Sequence, residues 1–125
     1  MGDISLNFNR SEFACKCGCG CDGISDHLVS KLQVVRTNLG ESMVVTSGTR
    51  CSAWNAKCGG SAGSSHLPDS SGLSHAVDIK CDNSVYRQKL LEAAIPIFNR
   101  VGIHPQFLHF DVDVNKTSGV VWLYL

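Results

Sequence analysis

The nine residues QFLHFDVDV, Gln106 to Val114, constrain the fold more than any other stretch of this chain. Strict alternation puts Phe107, His109, Asp111 and Asp113 on one face of a strand, and Leu108, Phe110, Val112 and Val114 on the other. The apolar row has to be buried, so the strand belongs to a sheet with one face on the core. His109 and Asp111 then stand side by side on the opposite face, roughly 6–7 Å apart along the strand, where they are either solvated or bound to something.

A second strand reads in HAVDIKC, His75 to Cys81. Asp78 lies there between Val77 and Ile79, and a carboxylate in a buried strand needs a paired group or a metal ion. The Gly/Ser-rich segment just before it carries His66 and Asp69 and leads into His75. His66, Asp78 and His109 come from three separate segments and offer two imidazoles and one carboxylate. Such a set leaves a fourth zinc position open, the pattern of a catalytic and not a structural site.

The remaining segments supply the scaffold. Leu28, Val29, Leu32, Val35 and Leu39 recur at helical spacing, with Ser25 as N-cap and Gly40 just past the end. Met43 to Gly48 reads as a short strand, followed by a Gly/Ser-rich loop that runs on to His66. A second helix is expected from Ser84 to Ile95, stopped by Pro96, with PIFNRVG as a separate turn. Val120 to Leu125 reads as a strand that forms a hairpin with Gln106 to Val114 through the turn NKTSG. The expected fold is one α+β domain over residues 1–125, a small antiparallel sheet packed with two main helices.

The composition narrows the partners. Eleven basic and eleven acidic residues give no one-signed field, which disfavours nucleic acid and membrane surfaces. No apolar run approaches the roughly 18–20 residues of a membrane span, and MGDISLNFNRSEF has no secretory signal pattern. Synthesis in the cytoplasm is therefore expected, with a monomeric product. Seven cysteines in a reducing compartment read as metal ligands or buried thiols before disulfides. Cys15, Cys17, Cys19 and Cys21 alternate too strictly for the usual paired-thiolate zinc spacing, which favours a compact turn over a Cys-only zinc site.

Taken in order, SEFACKCGCG, VVTSGTRC, WNAKCGGSAGSSHL, GLSHAVDIK and FLHFDVDV resemble the zinc D-alanyl-D-alanine carboxypeptidase family across nearly the whole chain. That family includes vancomycin-resistance dipeptidases and phage L-alanyl-D-glutamate endopeptidases, and shares its fold with the hedgehog signalling domain. The resemblance implies zinc on His66, Asp78 and His109, and Arg50 of the SG-x-R element as the group steadying the developing oxyanion. It implies hydrolysis of a peptide bond in a bacterial cell-wall peptide, next to a D-amino acid, and action on the wall after phage-assisted release.

Two departures from the family stand out. His66 and Asp78 are farther apart than the family's usual spacing, so PDSSG reads as a loop insertion and His75 as a competitor that His66 outweighs. Several relatives carry an acidic residue three positions before the last histidine, where this chain has Gln106. Asp111 is the first choice for the base that position would supply and His104 the second, with an orienting role toward a ligand histidine as the alternative for Asp111. The rival readings are a catalytically inactive zinc-binding module of the same fold in a phage structural or binding role, and a Cys-rich zinc-binding interaction domain.

Overall fold

In the computed structural model, which describes residues 2–124, the two expected helices form where the capping residues put them. Helix α1 (Asp26–Leu39) starts at Ser25, whose side chain accepts the Leu28 amide, and ends at Gly40 with φ of 71°. That left-handed turn suits a residue without Cβ. Its stripe of Leu28, Val29, Leu32 and Val35 is buried. A six-residue helix α2 (Ser52–Lys57) comes next. Helix α3 (Ser84–Ala94) is capped by the Asn83 side chain and buries Leu90 and Ala94.

Five strands make one sheet: β1 (Val45–Ser47), β2 (Ala76–Lys80), β3 (Arg100–His104), β4 (Phe107–Asp111) and β5 (Val120–Leu123), in the order β1-β2-β4-β3-β5. Val77, Ile79, Val101, Leu108 and Phe110 are fully buried and join the helices in one core. The α+β class therefore holds, with alternation delivering the apolar row of β4 to that core as expected.

Four expectations change. The strand over Val120–Leu123 lies parallel to β3 and makes no hairpin with β4. The reason is that both edges of β4 are already taken, by β2 and by β3. NKTSG instead carries the chain past β3 and is anchored where the Gly119 and Val120 amides donate to the Asn99 carbonyl. Leu125 lies outside the described residues. The segment read as a turn contains the first half of β3, Arg100 to Gly102, and the segment read as loop contains α2, capped by the Cys51 thiol that accepts the Trp54 amide at 3.5 Å. Strand β4 also ends at Asp111, so Val114 leaves the alternation and is exposed.

Register places one row of side chains straight across the face opposite the helices. Ser47 on β1 pairs with Asp78 on β2, Asp78 with His109 on β4, His109 with Gly102 on β3, and Gly102 with Trp122 on β5. Gly102 is required there for space, since a Cβ would stand 2.7 Å from ring atoms of both Trp122 and Tyr124. Those two rings therefore close over β3 beside His109, with the Trp122 ring centroid 5.4 Å from that of His109.

Candidate active site

The site grows from this row. Asp78 and His109 face each other on adjacent strands, with His109 Nδ1 2.9 Å from Asp78 Oδ1. His66 arrives from the loop before β2 and is held on both sides. Its carbonyl accepts the Arg50 amide at 2.9 Å and the Ser74 hydroxyl at 2.7 Å. Its ring has Nδ1 2.6 Å from the Gly48 carbonyl and Nε2 3.2 Å from Asp78 Oδ1. All three residues are buried, and the ligand atoms they offer lie within 4.8 Å of one another.

The atoms facing away from this focus are engaged as well. His109 Nε2 lies 2.7 Å from Asp111 Oδ2, and Arg100 Nε donates to Asp111 Oδ1 at 2.7 Å. Arg50 donates through one terminal nitrogen to Asp78 Oδ2 at 3.3 Å, through Nε to Ser47 at 3.0 Å, and through the other terminal nitrogen to Asn55 at 3.2 Å. Burial pushes the Asp78 carboxyl up, but hydrogen bonds from His109 and His66 outweigh it and hold the group well below the usual carboxylate range. Burial opposes charge on His109 too, and the bonds to Asp111 and Asp78 raise its pKa nonetheless.

This donor set fits a metal ion. Each ring, His66 and His109, faces acceptors through both nitrogens, and since a neutral imidazole carries only one N–H, either a charged ring or a cation at the focus has to balance the set. With the protons of His66 Nδ1 and His109 Nε2 given to Gly48 and Asp111, the two inner nitrogens are lone pairs aimed at one carboxylate oxygen. A cation at the focus satisfies all three, and partners that fix the outer nitrogens are the usual company of metal-bound histidines. His66, Asp78 and His109 form a group that could hold such an ion.

His75 is not brought to this cluster. Its Nε2 pairs with Asp69 Oδ2 at 2.7 Å, on an exposed turn that Asp69 closes by accepting the amides of Ser71 and Leu73. PDSSG thus forms an exposed turn that keeps Asp69 and His75 paired with each other, away from the cluster.

Around the cluster lies a cleft of about 530 Å³, lined among others by Arg50, His104, Lys116, Trp122 and Tyr124. His104 Nδ1 accepts the Gln106 amide at 3.1 Å and its ring stacks on Phe107, centroids 4.3 Å apart. Gln106 is exposed and does not line the cleft. Three contributors were not singled out in the sequence. Arg100 sits in a segment read as a turn, Trp122 sits on β5, and Tyr124 lies just past its end, on a segment whose neighbour is β3 and not the expected β4. The alternation of VVWLYL was the available signal for the two aromatics, and it gave their face without their partner strand. Burial and the nearby Asp78 charge push the Tyr124 hydroxyl up to about 12, so it keeps its proton in the cleft.

A zinc-type hydrolytic centre on a mixed sheet is what this fold and donor set define. The sequence matches the Peptidase M15 family over residues 6–111, and the chain belongs to that family. Its members are zinc-dependent peptidases, so a metallopeptidase activity goes with the family. No curated relative matches the chain. Among the described residues no helix is long and apolar enough to cross a membrane.

Proposed function

We propose that this protein hydrolyses a peptide bond in bacterial cell-wall stem peptides, next to a D-amino acid, with zinc held by His66 Nε2, Asp78 Oδ1 and His109 Nδ1. The observation that carries the reading is the convergence of these three atoms while every outer atom of the set has its own protein partner. When bound, zinc polarises the scissile carbonyl and supplies a nucleophilic water near neutral pH. Arg50, Arg100 and Lys116 line the cleft beside Asp78 and Asp111, each paired with an aspartate, and the N–H groups those pairs leave over suit the carboxylates that such peptides carry.

Three further residues have roles on this reading. Arg50 spends three N–H groups on Ser47, Asn55 and Asp78, which leaves two of a guanidinium's five for the oxygen of the scissile carbonyl. His104 receives an amide N–H at Nδ1, so its neutral ring carries the proton on Nε2 and acts as a second donor to that oxygen, not as a base. Asp111 is a positioning residue. It is buried and accepts from His109, Arg100 and the Asp113 amide, with burial raising its pKa but the His109 and Arg100 contacts lowering it overall. A carboxylate so engaged orients the His109 ring better than it collects a proton from water.

Digestion of purified peptidoglycan by the zinc-loaded protein, with mass analysis of the released fragments, tests the proposal. Fragments cut at a bond adjoining a D-residue support it, and an intact stem peptide under zinc saturation contradicts it. The role of Asp111 separates by measurement as well. Asp111→Asn should weaken zinc binding by roughly 10–100-fold while zinc-saturated turnover stays near the parent's. Unchanged zinc affinity with collapsed turnover would instead make Asp111 the base.

A further inference from the structure

Outside the active site the chain builds a second cluster that its peptidase activity does not use. Cys15, Cys17 and Cys19 follow the short 3₁₀ turn Arg10–Phe13, and the fold brings Cys51, from the loop between β1 and α2, against them. The four sulfurs lie within 4.8 Å of one another. Cys15 and Cys17 stand 3.4 Å apart, Cys15 and Cys51 3.8 Å, and Cys17 and Cys51 3.6 Å. We propose that Cys15, Cys17, Cys19 and Cys51 are the four thiolate ligands of one structural zinc ion.

The geometry favours an ion over a disulfide. Four sulfurs about 2.3 Å from a tetrahedral zinc are about 3.8 Å from each other, close to the separations found. A disulfide would single out one pair at about 2.05 Å, whereas the three sulfurs of Cys15, Cys17 and Cys51 are nearly equidistant. The backbone is arranged for the same end. An extended strand would space Cys15, Cys17 and Cys19 roughly 6–7 Å apart; here Gly18 and Gly20 adopt φ of 82° and 91°, and the chain folds back so that the Cys15 amide donates to the Cys21 carbonyl at 2.7 Å. Two amides also point at sulfur: Cys51 N–H toward Cys15 Sγ and Trp54 N–H toward Cys51 Sγ, each at 3.5 Å. Amide donors of this kind steady thiolate charge. Four sulfurs with no carboxylate among them select a soft or borderline ion. Cys21, the fourth of the alternating run, is left out, and so are Cys58 and Cys81. This explains why the alternation by itself fitted no zinc spacing: the fourth ligand lies 30 or more residues downstream of the others.

The ion would fasten the first turn of the chain to the segment that carries Arg50. Cys51 follows Arg50 directly, the Thr49 amide donates to the Phe13 carbonyl at 2.9 Å, and a Cβ on Gly48 would strike that same carbonyl at 2.6 Å. Gly48 in turn receives the His66 ring. The cluster thereby sets the position of a donor and of a ligand support in the active site, without touching either reacting group.

The test counts metal in the full chain, purified under reductant and equilibrated with zinc. About two zinc ions per chain are expected. Cys17→Ser and Cys51→Ser should each remove one and leave the other, His66→Ala should remove only the other, and Cys21→Ser and Cys58→Ser should keep both. Should a cysteine variant fail to fold, the parent protein loaded with cobalt answers instead, through thiolate-to-cobalt charge-transfer absorption and through four thiols shielded from alkylation until a chelator is added. A single zinc lost only with His66→Ala, iron or copper in place of the second zinc, or, in a sample purified without reductant, a mass lower by the two hydrogens that one disulfide among these four cysteines removes would each overturn the proposal.

Discussion

Exchanging Asp78 for Asn should empty the active-site metal position and lower turnover by about 10³-fold or more, because the ion's contribution is several kcal/mol. The physical reason is concentrated in one oxygen. Asp78 Oδ1 is approached by both ring nitrogens that would share the ion, His66 Nε2 and His109 Nδ1, and Oδ2 holds Arg50. Asn keeps the shape but not the charge, so two imidazoles and a guanidinium lose the one anion they face together. Alanine is the worse probe, since removing one partner of a buried charged set costs roughly 3–5 kcal/mol and mixes metal loss with unfolding. His75→Ala is the matched control. Its ring pairs with Asp69 on the exposed turn, so zinc content and turnover should both stay at the parent's level. Metal analysis and kcat/KM on the three proteins decide the matter, and loss of zinc with His75→Ala but not with Asp78→Asn would reverse the assignment.

Arg50→Ala should retain zinc and the fold yet lose roughly 10²–10³-fold in kcat/KM, the usual size for a missing oxyanion donor. Zinc is retained because Arg50 holds Oδ2 of Asp78, while the ion is assigned to Oδ1. Arg50→Lys should recover little of the loss. The guanidinium spans Ser47, Asn55 and Asp78 at once, and an ammonium is a compact charge that cannot bridge three acceptors in a plane and still offer a donor to substrate. Full turnover in Arg50→Ala at full zinc would remove Arg50 from the chemistry.

The part of this molecule that could be read from sequence is the part that local pattern controls. Period-two spacing put His109 and Asp111 on the face away from Leu108 and Phe110, and the improbability of a bare carboxylate between Val77 and Ile79 drew attention to Asp78. Caps at Ser25 and Gly40 located α1. What escaped reading depends on which strands become neighbours. Gly102 weakens the strand signal of RVGIH, because its value lies in the space it leaves for Trp122 and Tyr124, two residues that arrive only through the parallel pairing of β3 and β5. With β3 unseen, the two flanking segments read naturally as a hairpin. Arg100 was lost with β3, and its contact with Asp111 went with it, so the sequence offered Asp111 both as a base and as an orienting partner of His109 without the arginine that engages its other oxygen. Cys51 joins Cys15, Cys17 and Cys19 by the same kind of long-range placement. Sequence spacing reports neighbours along the chain; the fourth sulfur is a neighbour only in the fold.

The central claim, that His66, Asp78 and His109 hold the catalytic zinc, is tested most directly by anomalous diffraction at the zinc absorption edge from crystals of the zinc-loaded protein. The account predicts a peak bonded to His66 Nε2, Asp78 Oδ1 and His109 Nδ1 at about 2.0–2.2 Å, with Arg50 still on Asp78 Oδ2. An empty focus there, or a peak seated between Asp69 and His75, would contradict it.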